Sequence, residues 1–218
     1  MSHLPPRSGV WTVIVPVKQT MIAKTRLTGF DELTRRRLAM SFALDTVAAA
    51  VGCPEVRRVV VVTNDPSSAE FTTIGADVIP DEPAAGLNPA LVHAAHSIRH
   101  ADPSASIAAL SGDLPALRSS DLSAAFGAGA STHWFVSDTV GTGTTMLAVA
   151  GSTPFSPAFG HHSSVAHRAA GAEEVGASGL ARLRRDVDTE ADLWAAVRLG
   201  VGRRTREALA SSDVERLT

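Results

Sequence analysis

The residues best suited to chemistry are carboxylates and cations that fall just beyond apolar runs. Asp113 follows the run Ser106-Ile107-Ala108-Ala109-Leu110 within Ser111-Gly112-Asp113-Leu114-Pro115. An acidic residue just past the carboxyl end of an apolar strand sits where open α/β sheets bind ligands. Gly112 permits close backbone approach there, and Pro115 fixes the turn that follows. In Asp186-Val187-Asp188 the alternation sends both carboxylates to one side of an extended segment. Carboxylates brought together from distant parts of a chain suit Mg²⁺, which commonly takes one or two of them and fills its shell with phosphate oxygens and water. A plainer reading stands beside this one, because an Asp after a strand also serves as a helix cap or turn former. Thr189-Glu190-Ala191-Asp192 has the form of a capping box with Asp in the final place, and Asp188 could belong to that helix start.

The stretch VPVKQTMIAKTRL (15–27) follows the first apolar run and carries Lys18, Lys24 and Arg26, with no glycine between Val10 and Thr28. The glycine-rich cradle of Walker or dinucleotide loops is therefore absent. Three cations can neutralise a triphosphate as point charges and a guanidinium fork, or they can be a solvated basic connection. Gly141-Thr142-Gly143-Thr144-Thr145 can offer N–H groups and hydroxyls to an anion, or it can be a hairpin turn. The histidines of Phe159-Gly160-His161-His162-Ser163-Ser164 and His167 read as part of a surface loop rather than a metal cluster.

The elements that must position these groups alternate. An apolar strand over 10–17 precedes an amphipathic helix over 31–51 that Gly52 ends. A buried strand over 58–63, a short helix over 67–74 and a shorter strand over 76–80 follow. Gly86-Leu87-Asn88-Pro89 then opens a helix to about His100, before the strand that leads to Asp113. This rhythm predicts βαβ units and a mostly parallel sheet. From about 131, THWFVSD and TTMLAVA read as two strands of an antiparallel hairpin insertion. Residues 152–178 read as loop with a short helix, and 190–199 as a helix. The expectation is one α/β domain over 1–218, a Rossmann-like three-layer sandwich with an antiparallel appendage, in which 1–9 and 203–218 are peripheral.

Composition excludes several classes. Lys and Arg number 20 against 22 Asp and Glu, so the formal charge of −2 gives no basic excess for nucleic acid. The apolar runs are too short to span a bilayer, and the start MSHLPPRSG does not resemble a signal peptide. Cys53 is alone, which rules out an intrachain disulfide and a cysteine metal cluster. A cytoplasmic protein is expected, and nothing excludes a homo-oligomer.

Taken in order, AKTRL, GLN at 86–88, SGDLPAL at 111–117, GTGTT at 141–145, FGxxSS at 159–164 and DVDTEADL at 186–193 resemble a known family. It is the guanylyltransferases that make the side-chain precursor of the deazaflavin coenzyme F420. Archaeal members are described as 2-phospho-L-lactate guanylyltransferases, and actinobacterial ones as phosphoenolpyruvate guanylyltransferases. The resemblance implies the nucleotidyltransferase variant of the Rossmann sandwich. It implies that Asp113 and Asp186 hold Mg²⁺ and that Lys18, Lys24 and Arg26 meet the GTP phosphates, with Lys24 counted among the catalytic groups. Gly86, Leu87, Asn88 and Ser111 would lie near the nucleotide, and Thr144, Gly160 and Ser163 would contact the phosphorylated three-carbon acid. Ser164 stands where many archaeal relatives have an aromatic residue, which with the Ala- and Arg-rich composition points to the phosphoenolpyruvate-using branch. Rival readings are another small-molecule nucleotidyltransferase, against which the glycine-poor loop counts, and a non-catalytic nucleotide-binding protein.

Overall fold

A computed structural model describes residues 10–18, 24, 26–82, 84–176 and 178–215. β1 (Trp11–Pro16), β2 (Val56–Val62), β3 (Asp77–Ile79) and β4 (Ser106–Leu110) pair in parallel, in the order β3-β2-β1-β4. Their β-branched runs point alternately to two helical layers, as the period of two requires. Val13, Val15, Val59 and Val61 pack with α1 (Glu32–Val51) and α4 (Ser119–Ala128). Ile14, Val60 and Val62 face α3 (Leu87–Ala101) on the opposite side, through Leu91, Ala94 and Ile98. Helix α2 (Ala69–Thr73) lies between β2 and β3, after a 3₁₀ turn at Pro66–Ser68. The three-layer α/β/α sandwich expected from the alternation is the fold.

The hairpin is not the appendage that its changed rhythm suggested. β6 (Thr144–Val149) inserts between β4 and β5 (His133–Ser137), antiparallel to both, with Ile107 opposite Val149 and Leu110 opposite Met146. A two-residue strand β7 (Glu173–Glu174) then pairs in parallel with β5, closing a seven-stranded sheet in which β6 alone runs the other way. Every residue of β6 is buried, so it is a central strand. A run buried along its whole length carries no mark of its neighbour's direction, and that is why the sequence did not place it.

Helix α4 went unread because its ten residues are Ala- and Ser-rich with little amphipathic contrast. The polar end of the chain also behaves differently from the expectation. After α5 (Ser163–Ala169) and α6 (Glu190–Leu199), α7 (Arg203–Glu215) docks on α1. Asp45, buried on α1, accepts from the backbone N–H groups of Arg204 (3.1 Å) and Thr205 (2.9 Å), so a carboxylate from another helix caps α7. The segment 1–9, expected to be peripheral, lies outside the described residues. Among the described residues no helix is long and apolar enough to cross a membrane. Asp45→Ala removes both acceptors and is expected to lower the unfolding free energy by about 1–2 kcal/mol. Urea titration followed by circular dichroism reads this, and an unchanged midpoint would mean that apolar packing alone docks α7.

Candidate active site

The chain runs from β1 outward to β2 and β3, then returns to lay β4 on the other side of β1. That reversal opens a crevice beyond the carboxyl ends of β1 and β4, the usual ligand position in such sheets. A cavity of about 270 Å³ lies there, walled by Val17 and Lys18 after β1, Ser111 to Asp113 after β4, Leu87 and Leu91 of α3, and Phe159. Gly112 makes the approach possible, since a Cβ on it would stand 2.9 Å from the backbone oxygen of Pro16. Thr46 of α1 accepts the N–H of Leu114 at 3.0 Å, which fixes the turn that aims Asp113.

The two acidic segments meet as the sequence suggested. The Val187 N–H donates to the Asp113 carbonyl at 3.1 Å. Val187 itself is fully buried among Leu27, Phe42 and Leu193. Inward anchoring of Val187 turns its neighbours Asp186 and Asp188 to the other side. The capping alternatives are resolved as well. Thr189 and Asp192 form the capping box of α6 between themselves, and the Asp113 and Asp188 carboxylates bond to Lys24 instead. Lys24 Nζ lies 2.5 Å from Asp113 Oδ2 and 3.1 Å from Asp188 Oδ1, with only 11% of its side chain exposed. Burial disfavours the ammonium, but the two carboxylates outweigh it and hold its pKa above the ordinary lysine value. Asp186 is pushed up to about 7, first by burial and then by repulsion from Asp113, Asp188 and Asp138.

Lys24 offsets only part of the acidic charge here, so a divalent ion fits the donor chemistry. Among the described residues no three His, Cys, Asp or Glu side chains surround one point. Asp113 and Asp186 could offer two carboxylates, within the range usual for Mg²⁺. Lys18 is exposed at the cavity wall, whereas Arg26 is exposed and does not line it. Residues 19–23 and 25 of the basic loop lie outside the described residues.

Asn88, expected near the nucleotide, spends its amide on Phe159: its Oδ1 accepts from Phe159 N–H (2.8 Å) and its Nδ2 donates to Phe159 O (2.9 Å). It thereby holds one cavity wall in place. Leu87 and Ser111 line the cavity directly, while Gly86, at φ +109, serves as the N-cap of α3. The GTGTT segment is a hairpin turn whose Gly141 and Thr142 N–H groups are already taken by Asp138 Oδ1, at 2.6 and 3.0 Å. Those two groups are not offered to an anion. Ser164 bonds the carbonyls of Gly141 and Thr142, tying the start of α5 to this turn. Ser163 is buried, and its hydroxyl has no hydrogen-bond partner among the described residues. Gly160, at φ +130, has open space where a Cβ would stand.

His167 corrects the surface-loop reading. His161 and His162 are exposed, but His167 is fully buried against Phe135 and Phe159. Its Nε2 accepts from the Ala158 N–H at 2.9 Å, and its Nδ1 lies 2.9 Å from Thr144 Oγ1. The helical spacing of His167 from Ser163 and Ser164 was the available signal, but one turn of helix inside a polar loop is too short to show a buried face.

A seven-stranded sheet of this order, with acidic residues and a lysine at its switch point, defines a nucleotidyltransferase-type α/β protein. The fold is shared with a Desulfovibrio desulfuricans G20 protein described as a nucleotide-diphospho-sugar transferase, at a TM-score of 0.65 and 15% identity, covering 94% of this chain and 96% of that one. The chain belongs to the family described as Guanylyl transferase CofC like, which it matches over residues 11–215. It is 50% identical over 197 residues to a phosphoenolpyruvate guanylyltransferase of Thermomonospora curvata, covering 89% of this chain and 86% of that protein. It is 48% identical over 204 residues to one of Streptomyces avermitilis, covering 92% and 94%.

Burial, and then nearby His133, push His167 down to about 4 from 6.5, so it is neutral in the folded protein near pH 7. Between those values the unfolded chain binds the proton and the folded one does not. Stability from this group is therefore full above about pH 6.5 and falls by up to about 3 kcal/mol as the pH drops towards 4. Urea unfolding of the wild type and of His167→Gln at pH 7 and pH 5 checks this, because the variant should lose less stability on acidification.

Proposed function

We propose that this chain transfers GMP from GTP to phosphoenolpyruvate, giving enolpyruvyl-diphospho-guanosine and pyrophosphate for coenzyme F420 biosynthesis. The observation that carries this reading is the meeting of Asp113, Asp188 and Lys24 at a cavity at the β1/β4 switch point, with Asp186 near enough to Asp113 for their charges to repel. Membership of the guanylyl transferase family and the names of its close relatives support the choice of nucleotide and acid.

In this reaction a phosphate oxygen of the acid attacks the α-phosphorus of GTP, and the bond to the β-phosphate breaks as pyrophosphate departs. Two anions must approach each other, so catalysis rests on cancelling charge and fixing geometry. Asp113 and Asp186 would hold Mg²⁺. When bound, the ion supplies positive charge that offsets the reacting phosphates. Lys24, freed from Asp113 and Asp188, would meet the phosphates together with Lys18 at the cavity wall. Leu87, Ser111 and Phe159 shape the space for the nucleotide. The attacking phosphate is ionised near neutral pH, so no side chain need serve as its general base.

Asp113→Asn and Asp186→Asn are expected to reduce transfer by at least about a hundredfold while leaving the circular dichroism spectrum unchanged. Near wild-type turnover in either would refute the acidic site. Pyrophosphate release should need both GTP and the acid, stop with a chelator and return with Mg²⁺. A panel of nucleoside triphosphates crossed with phosphoenolpyruvate and 2-phospho-L-lactate should favour the GTP–phosphoenolpyruvate pair. Equal or faster use of the lactate would reassign the acid, and no release with any pair would return the chain to a binding role.

A further inference from the structure

We propose that His167 is a positioning residue that fixes the Thr144 hydroxyl as a hydrogen-bond donor to the phosphorylated acid. The Ala158 N–H has a proton to give and lies 2.9 Å from His167 Nε2, so Nε2 must carry a lone pair. A neutral imidazole then holds its single proton on Nδ1. Burial keeps the ring neutral, with the aromatic rings of Phe135 and Phe159 against it. Nδ1–H in turn donates to Thr144 Oγ1, 2.9 Å away.

That bond occupies an acceptor site on Thr144 and leaves the hydroxyl's own proton unused. No acceptor for it exists among the described residues. A nearly buried hydroxyl with an idle proton is costly unless a ligand accepts it. Ser163, on the helix whose next residue bonds the Thr142 carbonyl, carries a second buried hydroxyl without a partner. The acceptor implied by such donors is an anionic oxygen, as on a phosphate or carboxylate. His167 also reaches the cavity wall, because Ala158 precedes Phe159 and the Phe159 ring packs edge-on against the imidazole at 5.3 Å. Asn88 clamps the same peptide segment from α3. One buried ring thus sets both the sense of a donor and the placement of a wall.

This inference rests on the functional reading above, and it separates two halves of the imidazole. His167→Asn keeps an N–H donor near the Nδ1 position, whereas His167→Gln keeps an acceptor near Nε2 and withdraws the donor from Thr144. The Gln variant is expected to raise the KM for phosphoenolpyruvate about tenfold, with the KM for GTP unchanged. The Asn variant should recover most of that loss. Thr144→Val should raise the same KM by tenfold or more, and adding His167→Gln to it should bring little further change, because the two act through one bond. Long-range ¹H–¹⁵N spectra of the wild-type protein should show the Nδ1–H tautomer, and an Nε2–H tautomer would overturn the relay whatever the activity. Equal effects of Gln and Asn, or additive effects in the double variant, would reduce His167 to a packing residue. An unmutated enzyme that transfers GMP to neither acid would overturn the functional reading, and with it the acid as acceptor. Transfer with an unshifted KM in His167→Gln would overturn the positioning role alone.

Discussion

Asp186 is buried beyond the carboxyl edge of the sheet with Asp113, Asp188 and Asp138 near enough to repel its charge, and that repulsion is the constraint the rest of the site answers. Left in water such groups would spread apart. Here the backbone bond between Val187 and Asp113, the inward anchoring of Val187 and the capping box of Thr189 and Asp192 hold them together. Lys24 supplies part of the missing positive charge. The fold therefore maintains a concentration of negative charge that a cation or a proton relieves, beside the cavity at the β1/β4 switch point. In the proposed reaction, an incoming ion and nucleotide would gain binding energy because the fold already holds the acids together.

The two walls of the site divide the work. The wall from β1, β4 and the 186–188 segment is ionic, and its geometry comes from main-chain contacts at a point where Gly112 brings two strands' ends close. On the opposite side Phe159 lines the cavity, and β6, the 158–164 loop and α5 lie behind it. Asn88, His167, Ser164 and Asp138 each bond main-chain atoms there, so a loop rich in glycine and serine takes one shape.

Much of this was legible in the sequence. The strands β1, β2 and β4 were plain in their β-branched runs, and β4 and α6 fell where the sequence placed them. Alternation in Asp186-Val187-Asp188 correctly gave the facing of the acids. What escaped were features decided by tertiary partners: the central place of β6, the docking of α7 by Asp45 and the burial of His167. Each depends on a residue far away in the chain, and local period carries no record of it. The bonds from Asn88 to the Phe159 backbone are likewise a tertiary contact that the local motif did not announce. The Ala- and Ser-rich α4 was missed for a local reason, a helix with too little contrast between its faces.

The insertion of β6 between β4 and β5 also dictates an order of assembly. On the ribosome, β1 to β4 emerge first and can pair in parallel, but β4 then presents a bare edge of apolar residues. Its partner is not the next strand made but the one after it, so the edge waits until β5 has passed and β6 follows. Unpaired edges of this kind invite pairing with other chains. The β4 edge is thus unpaired in the interval before Val149 leaves the exit tunnel, and slow decoding across 111–149 would lengthen that exposure.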